Sequence, residues 1–284
     1  MVGDVSLPKN GQEGDLPDIA VTLGEADALE CLLRGIGVSE SEFVPGAGGA
    51  GHVHMFNGFG GMGPAGTPDA QSALWNDLSK LSAYDMVLLS CEGDEHNENK
   101  TNPSAIHDYA SLGGRVFATH YHYTWMKNGT ADFQTVADWS PGVSGIVPEY
   151  NVNMTFPKGA AFAEWLENVG ASTHAGHIPL KNIKNSVRGV NAATTQDWID
   201  ADPMDVKYFS FNTPLSAAAD KQCGRVVFSD IHVFSDVSMT TGEVWPTGCG
   251  PLTDLNPQQK ALEFLLFDLS ACVEPDSQAP SAVH

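Results

Sequence analysis

The chain has 284 residues, 42% of them hydrophobic, enough for one large domain or two small ones with a real core. Acidic residues outnumber basic ones 35 to 14, for a net charge of -21. Such a surface repels nucleic acid and anionic lipid, whose binding needs Lys and Arg, and no run approaches the 18 unbroken apolar residues that a membrane span requires.

The opening stretch 1–17 is polar and rich in Pro and Gly, and reads as a flexible tail or as what remains where a signal peptide was replaced. "DIAVTL" (18–23) is a short apolar strand. "GEADALECLLRGIG" follows with helical spacing and stops at Gly. "EFVPG" (42–46) predicts a second strand, before a loop with nine glycines between Gly46 and Gly66 that contains "HVH". A helix is predicted over 67–84, capped by Thr67 or Asp69. "DMVLLSCEG" (85–93) is a buried strand with a small-residue end, and "GDEHNENK" (93–100) is a solvated loop without EF-hand spacing. "NPSAIHDYASLGG" starts with Asn102 as cap and Pro103 at the first helical position, and ends at a double Gly. "RVFATHYHY" (115–123) is the next strand.

Further on, 158–172 is an amphipathic helix, "VKYFSFNTP" and "GRVVFSDIHVF" are strands, and 256–272 is a closing helix with Pro at its first position. Continuous apolar strands alternating with helices predict a parallel sheet covered on both faces. The expected organisation is one α/β domain over 18–273, with insertions near 128–160 and 180–205 and a flexible tail at 274–284.

This order resembles the class I glutamine-amidotransferase-like superfamily, and within it the trehalose-utilisation-type domains. The resemblance rests on "YDMVLLSCEG" (84–93), "LGGRVFATHYHY" (112–123), "CGRVVFSDIHV" (223–233) and the closing helix. It implies a flavodoxin-like three-layer sandwich with a mostly parallel central sheet. Amidotransferases place a nucleophilic Cys where this chain has His120, so glutamine hydrolysis by a Cys-based triad is not expected, and fold alone leaves the chemistry open.

Ligands of an open parallel sheet bind outside the carboxyl ends of its strands. Four segments are expected to deliver side chains there: Cys91 and Glu92, His120 and His122, Asp230 and His232, and His52 and His54 from the glycine-rich loop. Residues two apart on extended chain point the same way, so each HxH pair offers two imidazoles to one ion. The expected site therefore holds a divalent transition metal, zinc or copper, on His120, His122 and His232, with His52 or His54 completing the set. Glu92 or Asp230 acts as base or orients a ligand. Tyr121, Tyr123 and Trp125 either pack on the next helix or form an aromatic wall against a glycan or other flat substrate. The remaining histidines, His96, His107, His174, His177 and His284, read as structural or solvated.

None of the five cysteines forms a CxxC pair. In an oxidising compartment, Cys91–Cys249 and Cys223–Cys272 are the bridges the expected topology allows. Cys223–Cys249 would have to span a strand of roughly 25 Å. These readings favour a secreted or periplasmic metal-dependent hydrolase acting on a carbohydrate-like or small polar substrate. The alternatives are a non-catalytic glycan- or partner-binding module, a copper-dependent oxidoreductase, and thiol hydrolysis at Cys91.

Overall fold

A computed structural model describes residues 8–143, 147–234, 245–249 and 254–278. The first strand, β1 (Ile19–Leu23), is buried along its whole length and leads into α1 (Leu29–Gly35). Then come β2 (Phe43–Pro45), β3 (Val53–Asn57), α2 (Ala70–Ala73), α3 (Leu78–Leu81) and β4 (Met86–Leu89). After them lie α4 (Ser104–Ser111), β5 (Arg115–Thr119), α5 (Thr124–Lys127), α6 (Ala131–Gln134), β6 (Ala137–Asp138), β7 (Tyr150–Val152) and α7 (Pro157–Asn168). The remaining elements are β8 (His177–Ile178), β9 (Gly189–Val190), β10 (Gln196–Asp202), β11 (Asp205–Thr213), β12 (Gly224–Ser229) and α8 (Pro257–Ser270).

Ten strands form one sheet in the order β2-β3-β1-β4-β5-β12-β11-β10-β7-β8, and β6 pairs with β9 separately. From β2 to β12 every neighbour is parallel. From β12 to β8 every neighbour is antiparallel. The expected flavodoxin-like, mostly parallel sandwich is therefore corrected to a large mixed sheet. The cause lies in the two segments read as insertions. They supply β7 and β10, which with β8 continue the sheet beyond β11 as an antiparallel half.

Alternate residues of the central strands feed two cores. Ile19, Val21, Leu23, Met86, Leu88 and Phe117 join α1, α7 and α8 on one face. Ala20, Val87, Leu89, Val116 and Ala118 join Leu74, Trp75, Ile106 and Trp125 on the other. Period-two alternation explains the split, since both faces of each strand are apolar.

The helix expected over 67–84 is two short ones, the second capped by the Asp77 side chain, which accepts from Ser79 N. Pro157 opens α7, and α8 opens with a reciprocal capping box between Asn256 and Gln259. Residues 8–17 and 274–278, read as tails, make specific bonds. Ser39 N donates to Lys9 O (2.8 Å), and the Asp276 carboxylate pairs with buried Arg225 (2.9 Å). Residues 1–7 and 279–284 lie outside the described residues. Among the described residues, no helix is long and apolar enough to cross a membrane.

Candidate metal centre

Strands β4, β5 and β12 are parallel neighbours or next neighbours, so their carboxyl ends finish together. Just past those ends stand Cys91, His120 and His232. One ligand atom from each lies within 4.8 Å of the others. Cys91 Sγ is 3.3 Å from His120 Nδ1, and the rings of His120 and His232 are 5.5 Å apart. Gly24, at the end of β1, lies so close that a Cβ there would meet the Cys91 carbonyl at 2.1 Å, so only glycine lets the two strand ends approach.

His120 adopts a left-handed backbone, φ +42°. Such a conformation is uncommon outside glycine and is held by its surroundings. It breaks β5 abruptly into the 3₁₀ turn His120–Tyr123. The same turn separates the two histidines that extended chain would have kept on one side. His122 swings inward, where Nε2 donates to Ser90 O (3.0 Å) and Nδ1 accepts from Trp125 Nε1 (3.1 Å). Both ring nitrogens are thus used, and no lone pair is left for an ion.

Burial holds all three imidazoles neutral. It pulls His232 down to about 3, with a lesser push from the Lys184 charge. It pulls His120 to about 3 as well, helped by His232 and Lys184. His122 lies well below its ordinary value for the same reason. The Nε2 atom of His232, a residue only 6% exposed, is buried with no hydrogen-bond partner. Burial also pushes the Cys91 thiol up to about 12, against weaker opposing pulls from the Tyr121 and Gly93 amides. A bound cation reverses that balance, because a coordinating thiol is deprotonated outright.

The other expected site residues stand elsewhere or are otherwise engaged. His52 and His54 do not reach the rim. "VHMFN" is strand β3, paired from Ile19↔Val53 onward, so both histidines sit at the opposite, amino end of the sheet. His52 Nδ1 bonds Glu42 (2.6 Å), and His54 lies between Gly46 O (2.9 Å) and Gly51 O (3.0 Å). Glu92 is buried, accepts Phe59 N (2.6 Å) and pairs with Lys100. Asp230 accepts both the backbone and the hydroxyl of Ser186 (2.6 and 2.8 Å). Trp125 is buried in the helix layer against Trp75. Tyr121 lies against the His120 ring (3.9 Å), and Tyr123 donates to Glu95 (2.6 Å).

Cys249 is bridged to Cys31, not to Cys91. Cys31 falls in the first turn of α1, which has only just left the carboxyl edge, and that places it on the rim side. Cys91 is a buried free thiol, and Cys223 and Cys272 are free and exposed. The expected bridges Cys91–Cys249 and Cys223–Cys272 are corrected accordingly.

No family model matches the chain. No curated protein matches it significantly. Among solved structures it is similar to the cytoplasmic protein STM3548 from Salmonella typhimurium, at 12% identity and a TM-score of 0.41, over 88% of this chain and 98% of that one. A likeness of that level supports no statement about function.

Two residues at the rim lay outside the sequence reading. Asp27, fully buried, accepts Ala28 N and Val233 N at 2.9 Å through Oδ1. Its Oδ2 accepts no well-formed hydrogen bond, the nearby Thr119 hydroxyl being turned to Leu89 O (3.2 Å). The signal was "GEAD" directly after β1. Lys184 is the other: its positive charge acts on Asp27, Cys91, His120 and His232.

Proposed function

We propose that this protein is a metal-dependent enzyme in which Cys91, His120 and His232 hold one divalent transition-metal ion, zinc or copper. The carrying observation is the convergence of three donor atoms within 4.8 Å from three separate strand ends. The neutral imidazoles need no net charge removed before binding, and the unpartnered Nε2 of His232 is a buried ring nitrogen without another use. Three protein donors leave a fourth position for water or substrate on the side of His120, the least buried of the three. A zinc ion held there by Cys91, His120 and His232 would supply a water activated as a nucleophile near neutral pH. Asp27 contributes a free carboxylate oxygen beside the ligands, the part first given to Glu92 or Asp230.

Hydrolysis of a small polar substrate, a glycan included, is the favoured reaction, with Tyr121 and Tyr123 near its entrance. A secreted or periplasmic setting agrees with the Cys31–Cys249 disulfide. A second reading, a copper oxidoreductase, is favoured by one observation: a thiolate with two imidazoles is the donor set of trigonal copper sites. Thiol hydrolysis at Cys91 has less support, because burial keeps the thiol protonated and His120 neutral.

The test is metal analysis of tag-free protein after incubation with zinc or copper. Wild type is expected to retain about one ion per chain. Cys91→Ser and His232→Ala are expected to lose it, while His122→Gln and His54→Ala keep it. Full retention by both Cys91→Ser and His232→Ala overturns the proposal.

A further inference from the structure

The positive charges inside this acidic molecule are nearly all spoken for. Lys100 pairs with Glu92, Lys158 with Asp268, Lys207 with Asp205, and Arg225 with Asp268 and Asp276. Lys184 differs. Its side chain is half-buried and makes no hydrogen bond or ion pair among the described residues, although the chain carries 35 acidic groups.

Its backbone is pinned. The amide donates to Asp230 O (2.9 Å), and the carbonyl accepts from Lys207 Nζ (3.0 Å). Two residues on, Ser186 binds the Asp230 carboxylate through its amide and hydroxyl. Lys184 is thereby fastened beside the end of β12, at Asp230, two residues before the His232 that faces Cys91 and His120. A cation held near buried groups without a counter-ion keeps an unspent electrostatic interaction, strongest in a low-dielectric site.

We infer that Lys184 makes the rim a receptor for a small oxyanion, a carboxylate or phosphate group on the substrate of the metal site formed by Cys91, His120 and His232. The inference rests on the metal reading and adds the substrate class to it. Charge counting supports it. A divalent ion, the Cys91 thiolate and an ionised Asp27 sum to neutrality, while Lys184 is a cation without an ion-pair partner among the described residues, so an anion at the open coordination position meets an unspent attraction.

The experiment is calorimetric titration of the zinc-loaded full chain with inorganic phosphate and, separately, with acetate. Wild type is expected to bind at least one of the two, and which one distinguishes a phosphate from a carboxylate substrate. Lys184→Met should weaken that binding about tenfold or more at unchanged zinc content, and Lys184→Arg should restore most of it. Equal affinity in the Met variant at equal zinc content, or no binding of either anion by zinc-loaded wild type, overturns the inference. If wild type retains no zinc, the metal reading fails by itself. The same titration on metal-free protein then decides: Lys184-dependent anion binding sustains the oxyanion site, and none overturns it.

Discussion

Asp27 carries a carboxylate that burial pushes up to about 6 from an ordinary 3.8. The native state therefore holds this proton more tightly than the unfolded chain does. Wild type loses stability from Asp27 as pH rises from 3.8 through 6, by about 3 kcal/mol in all. Asn at this position does not titrate and still offers an oxygen to the Ala28 and Val233 amides. Urea unfolding of metal-free protein should show Asp27→Asn gaining about 3 kcal/mol relative to wild type between about pH 4 and pH 8. A difference that stays constant with pH would show that Asp27 is not buried in this way. At this scale the sequence was half informative. Cys91, His120 and His232 could be named because each comes after an apolar strand run. Their partnership could not, since Cys91 read as a buried thiol or a disulfide half, with a nucleophile as a lesser alternative. His122 was misread because strand spacing was carried past Thr119, where the left-handed His120 had already ended the strand.

Elements were legible where periodicity and punctuation agree. Pro157 before an amphipathic run gave α7, and Asn256-Pro257 gave α8. Strand β3 was missed because its "VHMFN" is embedded in glycines, and with it went the placement of His52 and His54. Strand direction was readable but not read: the link 214–223 between β11 and β12 is shorter than the dozen or more residues a parallel crossover needs. Acid-rich "QDWIDAD" fell within the segment 180–205 read as an insertion, yet Trp198 and Ile199 bury it as β10. These elements are locked by one buried ionic network. Arg225 of β12 pairs with Asp268 of α8 (2.8 Å) and Asp276 (2.9 Å), while Lys158 of α7 pairs with Asp268 (2.8 Å). Arg225→Met strands two carboxylates with only Lys158 to answer them and should cost about 3–5 kcal/mol in urea denaturation. A cost below about 1 kcal/mol would mean that the network adds little to folding.

At the scale of the molecule, the parallel half of the sheet brings distant residues together and the antiparallel half supports it. The disulfide Cys31–Cys249 spans 218 residues of sequence and fastens the segment 245–249 to α1, and Trp245 packs at a tilt against Phe43 of β2 (ring centroids 4.2 Å). Rim geometry comes from chain topology: three strands that run the same way must finish at the same edge, and the side chains just past their ends meet there. X-ray absorption spectroscopy of the zinc-loaded protein tests this directly. The account predicts one sulfur at about 2.3 Å and two imidazole nitrogens at about 2.0–2.1 Å around the metal. A shell made only of nitrogen and oxygen, unchanged in Cys91→Ser, would contradict it.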